Sequence, residues 1–350
     1  MSAPPLHPLF FLGIAAASLG TLASFAPRTR SRSEWLSCFD SWAGPASETE
    51  DKKVATADRM VRETLSRSKH LSGYKLRFIP QGSSINNTNV KQYSDLDLVV
   101  VHDQPWYRPA PGEKWPTGFT PGGLSLVDEH RKFRASVFQA LQDAFFDGSV
   151  KETNKCIKVA STATTRVACD VVPSFVYRQF QPLHNALSIA TYHEGIIFVT
   201  SKGDEIDNYP EQHLANGRNK NLRTGYRYKQ IVRVLKKMKV IFKDEQTLLA
   251  IVDFPSSYEI ETLAFNVPDS LMTAGDLFDG VVASLKWIEL ALSGANNCNK
   301  LVRISGFNNL FPYWAQSATL LSVGSPSASP EVIHCRNFAQ RALRALPNAC

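Results

Sequence analysis

The chain has 350 residues, enough for one large or two medium domains. Its 43% hydrophobic and 20% charged residues are ordinary for a globular protein, and its six scattered cysteines include no Cys-x-x-Cys pair, which argues against a structural zinc site. The formal net charge of +7 suits a polyanionic ligand, a triphosphate or a nucleic acid, without choosing between them.

Residues 9–26 carry no charge and are followed by Arg28, Arg30 and Arg32. Such a stretch is just long enough to span a bilayer, with the arginines on the cytoplasmic side. No Lys or Arg precedes it, which disfavours a secretory signal. The other expectation for residues 1–33 is a disordered leader, or one upstream of the true start. Free cysteines (Cys38, Cys156, Cys169, Cys298, Cys335, Cys350) without a disulfide framework favour a reducing cytoplasm.

An opening segment at 34–42 leads to Ser47-Glu48-Thr49-Glu50-Asp51, rich in capping and acidic residues. The spacing predicts a helix to about His70, with Ala55, Met60, Val61 and Leu65 inward. A strand over 74–81 ends at Gln81 and is followed by the Gly82-Ser83 turn. The Gly-Ser step offers a tight turn and a hydroxyl suited to a terminal phosphate. A second apolar strand, 96–101, carries Asp95 and Asp97 at its leading end. Residues two apart on a strand share a face, and two carboxylates held that close repel unless a cation lies between them. Magnesium takes such hard oxygen ligands and bridges them to phosphates.

Residues 102–123 hold five prolines and four glycines and read as a loop whose aromatics, Trp106, Tyr107 and Trp115, cover the core or stack on a base. Residues 126–146 show helical apolar spacing through Phe133, Val137, Leu141 and Phe145. Two strands are predicted at 156–160 and 166–177, the second carrying Asp170 beside Val171 and Val172. An acid there needs a cation or a partner. Three acids on two neighbouring strands could hold two metal ions for in-line displacement at a nucleoside triphosphate. A small hairpin at 194–200 and 205–206 precedes Asn208, Gln212 and His213.

After Pro210 the pattern turns helical. Residues 226–242 are strongly basic, with Lys229, Arg233, Lys236 and Lys237 on one broad face and Ile231, Val234, Leu235 and Met238 opposite. A basic stripe is usually a solvated face or an RNA contact, but one or two of its members are placed for donor phosphates, with Lys220 and Arg223, in the loop before it, as weaker candidates. Ser257–Asn266 and residues 277–293 are amphipathic. Residues 300–312 read as a loop, short helices follow, and 322–330 is rich in Pro and Ser.

The Gly82-Ser83, Asp95-x-Asp97 and Asp170 pattern resembles the polymerase-β nucleotidyltransferase superfamily. More specific words surround it: Asn86-Asn87-Thr88, Ser94-Asp95, Asp170-Val171-Val172-Pro173 with Tyr177-Arg178, and Asn208-Tyr209-Pro210 with His213 and Asn216-Gly217. Lys220-Asn221 with Thr224, and Tyr228-Lys229 with Val232 to Lys236, complete the set. These resemble the cGAS/DncV-like nucleotidyltransferases, and among them the CdnE-like group, from about residue 35 to 314.

The resemblance implies an α+β fold: a polymerase-β-like core of mixed sheet and helices over residues 34–210, a helical lobe over 211–350, and a cleft between. It further implies a metal-dependent enzyme making cyclic di- or trinucleotides from NTPs in anti-phage signalling. Two Mg2+ (or Mn2+) ions would be held by Asp95, Asp97 and Asp170. Gln81, Gly82, Ser83, Lys229 and Lys236 would hold nucleotide, and Asn208, Gln212 and His213 would face the bases. A monomer without a nucleic acid template, feeding a downstream effector, is expected. The same acids would serve a primer-dependent RNA or small-molecule nucleotidyltransferase, but no large basic RNA-binding module is evident. A scaffold without chemistry is the third reading, and all three acids being present opposes it.

Overall fold

Among the described residues, four helices begin at a reciprocal cap, in which a side chain at the helix start and an acid three residues on each accept a backbone N–H from the other. The computed structural model describes residues 30–45, 47–90, 95–109, 113–116, 118–119, 122–146, 148–181, 191–245, 253–293, 301 and 330–347. In it Ser31 and Glu34 cap α1 (Arg32–Ala43), and Ser47 and Glu50 cap α2 (Glu48–Arg67). The 1–29 leader, Ser94, Cys298, Cys350 and the loop expected at 300–312, Leu301 apart, lie outside the described residues. Among the described residues no helix is long and apolar enough to cross a membrane.

The chain continues through β1 (Leu76–Gln81), α3 (Gly82–Asn86), β2 (Leu96–Arg108), α4 (Leu126–Ala144), β3 (Val150–Glu152), β4 (Ile157–Val159), β5 (Cys169–Phe180), β6 (Tyr192–Val199) and β7 (Glu205–Asn208). These strands form one mixed sheet. β1 runs antiparallel to β2, and β2 parallel to β5. The start of β5 pairs with β4 and its end with β6, both antiparallel. α2 and α4 cover one face, where Val61, Leu65, Phe133, Val137 and Leu141 join Leu96, Leu98, Val171 and Phe175 in one core. Val99, Val101, Val172, Val176 and Ile196 fill the other face. β2 is apolar without interruption at its centre because it is buried on both sides.

Helices α5 (Pro210–Arg223), α6 (Arg227–Glu245), α7 (Ser257–Asn266), α8 (Asp269–Met272), α9 (Leu277–Ala291) and α10 (Pro330–Ala345) follow. The caps of α7 and α9 are Ser256 with Glu259 and Asp276 with Asp279. A separate core holds Ile231, Leu235, Leu263, Val281, Leu285 and Phe338. It also holds Trp35, Phe39 and Ala43, so α1, first in sequence, packs in the helical lobe. Arg32 secures it there, reaching Asp276 and Asp279 at 2.8 Å each.

Several expectations change. β2 does not stop at residue 101. The register shifts between His102 and Pro105, and the strand then pairs with β5 as far as Arg108 opposite Gln179. An irregularity of this kind lets a strand carry a proline. Trp106 packs on Phe175, while Tyr107, Trp115, Phe119 and Phe180 form a separate aromatic cluster. In α2 Ala57, not Ala55, is buried. The Gly-Ser turn opens a five-residue helix, and Pro330–Ala345 forms a helix of 16 residues; the stretch before it, where short helices were also expected, lies outside the described residues.

Candidate active site

A single rung of the sheet carries the acids. Asp97 on β2 lies opposite Gln81 on β1 and Asp170 on β5, and Asp170 lies opposite Lys158 on β4. Directly opposed residues project from the same face. Four neighbouring strands therefore present Gln81, Asp97, Asp170 and Lys158 in a row, with Asp95 just before the start of β2.

The charges in this row are strained. Burial, and then the neighbouring carboxylates of Asp170 and Asp95, push Asp97 up to about 7. Burial and Asp170 raise Asp95 as well. Lys158 opposes both shifts, its ammonium 3.2 Å from Asp170. Among the described residues no three His, Cys, Asp or Glu side chains already converge tightly enough to enclose an ion. The donor set nevertheless fits one: hard carboxylate oxygens on adjacent strands, in a place where negative charge is unfavourable until a cation neutralises it.

Gly82 admits this packing. Its φ is +78°, and a Cβ there would lie 1.9 Å from the Asp97 carboxylate. The Gly-Ser turn and Asp97 are thus in direct contact, which places half-buried Ser83 beside the acids. After α3 the chain reverses through Asn87 in the left-handed region, and the Thr88 N–H donates to the Ser83 carbonyl at 2.9 Å. Asn208, at the end of β7, donates through Nδ2 to Gln81 at 3.4 Å, while its Oδ1 accepts from the Tyr209 N–H at 2.9 Å. It therefore stands next to the Gly-Ser step and also caps its own turn.

The basic face of α6 is not solvated. Arg233 and Lys236 are buried, and Lys229 is half-buried. Lys236 donates to Glu261 on α7 and to Thr88 at 3.2 Å, and its charge is still felt at Asp97. Lys229 has no carboxylate within salt-bridge distance among the described residues. Burial, with Arg218 and Arg233 nearby, holds its ammonium below the ordinary lysine range. Lys220 and Arg223 are engaged by Asp269, at 2.5 and 2.9 Å. His213 bonds to Glu261 at 2.9 Å and Gln212 to Asn216 at 3.0 Å.

Residues 215–323 match the family of the cGAS/DncV-like nucleotidyltransferase C-terminal helical domain. Over 237 residues, a cyclic dipyrimidine nucleotide synthase CdnE of Cecembia lonarensis is 35% identical, covering 67% of this chain and 76% of that protein. A cyclic dipurine nucleotide synthase of Elizabethkingia meningoseptica is 34% identical over 67% of this chain and 77% of its own. The chain belongs to the cGAS/DncV-like nucleotidyltransferases, in the CdnE group.

Solved structures agree. CdnE of Elizabethkingia meningoseptica, with GTP and Apcpp, matches with a TM-score of 0.65 at 27% identity, covering 88% of this chain and 97% of that one. CdnE of Rhodothermus marinus, with Apcpp and Upnpp, gives 0.66 at 25% identity, over 87% and 95%. This CdnE-group chain is accordingly an α+β nucleotidyltransferase with a C-terminal helical domain, of the class that builds cyclic nucleotides from NTPs. The residues to which sequence reasoning gave no role are Lys158, Glu261 and Thr88, the last of them quoted only within a matching motif. Lys158 gives no signal of its own, because its place beside Asp170 depends on the register of β4 against β5. Glu261 gives no local signal, because one acid in an amphipathic helix ordinarily faces water.

Proposed function

We propose that this enzyme joins two NTPs into a cyclic dinucleotide, using Asp95, Asp97 and Asp170 to hold two Mg2+ ions, which Mn2+ can replace. The observation that carries the reading is the rung in which Asp97 and Asp170 face each other beside Gly82, with Asp97 raised to about 7. The relatives whose names specify a product include dipyrimidine, dipurine and UMP-AMP synthases, which supports a two-nucleotide ring and leaves the bases to this chain's own pocket.

When bound, the cations supply positive charge at the reacting phosphate and make the acceptor hydroxyl more acidic. The chain's residues do the rest. Ser83 and Lys229 grip the β- and γ-phosphates and offset the charge that builds on departing pyrophosphate. Lys236, whose charge already reaches Asp97, contributes from behind them. Asp170 orients the acceptor hydroxyl and accepts its proton. The oxygen attacks the α-phosphate in line, and the linear product is closed by a second attack in the same cleft. Asn208, held by Gln81, faces the base. The product serves as a second messenger for a downstream effector in antiviral defence, without a template.

The test is incubation with NTPs and Mg2+ alone. The reading expects pyrophosphate release and a phosphatase-resistant product. Strict dependence on an added RNA or small-molecule acceptor would favour the primer-dependent alternative.

A further inference from the structure

The last residue of α3 and the two that follow it are bonded to the helical lobe. Asn86 Nδ2 donates to Glu261 Oε2 at 3.5 Å. The Asn87 carbonyl accepts from Arg233 at 2.6 Å, and the same guanidinium reaches the Ala43 carbonyl at the end of α1 at 2.7 Å. The Thr88 hydroxyl donates to Glu261 Oε1 at 2.5 Å and accepts from Lys236 at 3.2 Å. His213 of α5 meets the other Glu261 oxygen, and the Tyr228 hydroxyl donates to the Glu261 carbonyl. Glu261, Lys236, Thr88 and Asn86 are all buried.

This arrangement is electrostatically demanding. Burial alone would raise the Glu261 carboxyl, yet Lys236 and His213 hold it well below the ordinary carboxylate range. A buried charge pair is weak evidence for stability, because apolar residues of similar volume often serve at least as well. Its position is more telling. Thr88 receives both charged partners and passes its own N–H back to the Ser83 carbonyl. One residue thus separates the lobe–lobe contact from the phosphate-gripping serine.

We propose that Thr88, held by the Glu261–Lys236 pair of the helical lobe, is a positioning residue that sets Ser83 and Lys236 for the triphosphate. The inference rests on the phosphate-binding role given above to Ser83. In this arrangement the helical lobe fixes the geometry of the phosphate grip, and loosening Thr88 weakens NTP binding without touching the acids.

Glu261→Gln would strand the Lys236 ammonium in the interior and threaten the fold itself. Two Thr88 variants of the full chain carry the test instead. Thr88→Val keeps the shape and removes the hydroxyl; Thr88→Ser keeps the hydroxyl and removes the methyl. With NTPs and Mg2+, Thr88→Val is expected to raise KM about tenfold, the equivalent of one or two lost hydrogen bonds, with kcat little changed. Thr88→Ser is expected to stay within about twofold of the wild type. Wild-type KM in Thr88→Val overturns the inference, as does an equal loss in both variants that tracks their melting temperatures. Asp97→Asn, run alongside, separates the two ideas: if it stays active, the site reading itself fails.

Discussion

Asp97→Asn is expected to reduce nucleotide transfer by roughly 10³-fold or more while leaving the protein at least as stable as the wild type. The two effects have one cause. Asp97 is half-buried between like charges, and its carboxyl is raised to about 7. A carboxylate raised in the folded state contributes stability only in its protonated form. That contribution is complete below the ordinary carboxylate pKa, near 4, and is lost as the pH rises through about 7. At pH 8 without a cation, Asn at this position removes an unfavourable charge, so the melting temperature should hold or rise. Pyrophosphate release and thermal unfolding, measured on the same preparation, check both halves. An active variant would refute the catalytic assignment, and an inactive, unfolded one would make Asp97 a structural residue.

Gly82→Ala should be nearly as damaging and for a different reason. The position has φ +78°, which costs an L-residue roughly 1–2 kcal/mol. The added Cβ would also fall 1.9 Å from the Asp97 Oδ2. Either Asp97 swings away or the Gly-Ser turn shifts, and each moves a group that the proposed transfer uses by more than an ångström. An ångström of misplacement is enough for about 10²-fold in rate. The expected outcome is a loss of at least about 10²-fold in kcat/KM, with the melting temperature lowered by several degrees. A variant that melts earlier yet turns over normally would show that the close approach of Gly82 to Asp97 has no part in catalysis.

The acids were legible because they break local rules. Asp170 sits in a run of β-branched residues, Asp95 and Asp97 stand at the head of an apolar strand, and a glycine precedes a serine where the chain must turn. Each is a polar or conformational exception inside a regular element, and such exceptions are readable from neighbours alone. Their alignment on one rung was not, since it depends on the pairing register of β2 with β5. The α6 lysines show the opposite limit. Their spacing placed Lys229 and Lys236 on one face, but only the arrival of α7 decides whether that face meets water or Glu261. For the same reason α1 could be read as opening the catalytic core, although Trp35 and Phe39 pack among the last helices. β2 ran past residue 101 because β5 offers it a ladder as far as Gln179, which a proline-rich sequence does not reveal.

The most direct measurement is calorimetric binding of a non-hydrolysable triphosphate, with and without Mg2+, between pH 6 and 8, on the wild type and Asp97→Asn. Protons and cation compete for Asp97, so the Mg2+-dependent part of the wild-type affinity should strengthen by up to about tenfold per pH unit below about 7 and level off above it. Asp97→Asn should lose both the Mg2+ dependence and that slope. Equal affinities with and without Mg2+, or an Asp97→Asn protein that keeps the full Mg2+ effect, would contradict a cation held by this trio of carboxylates.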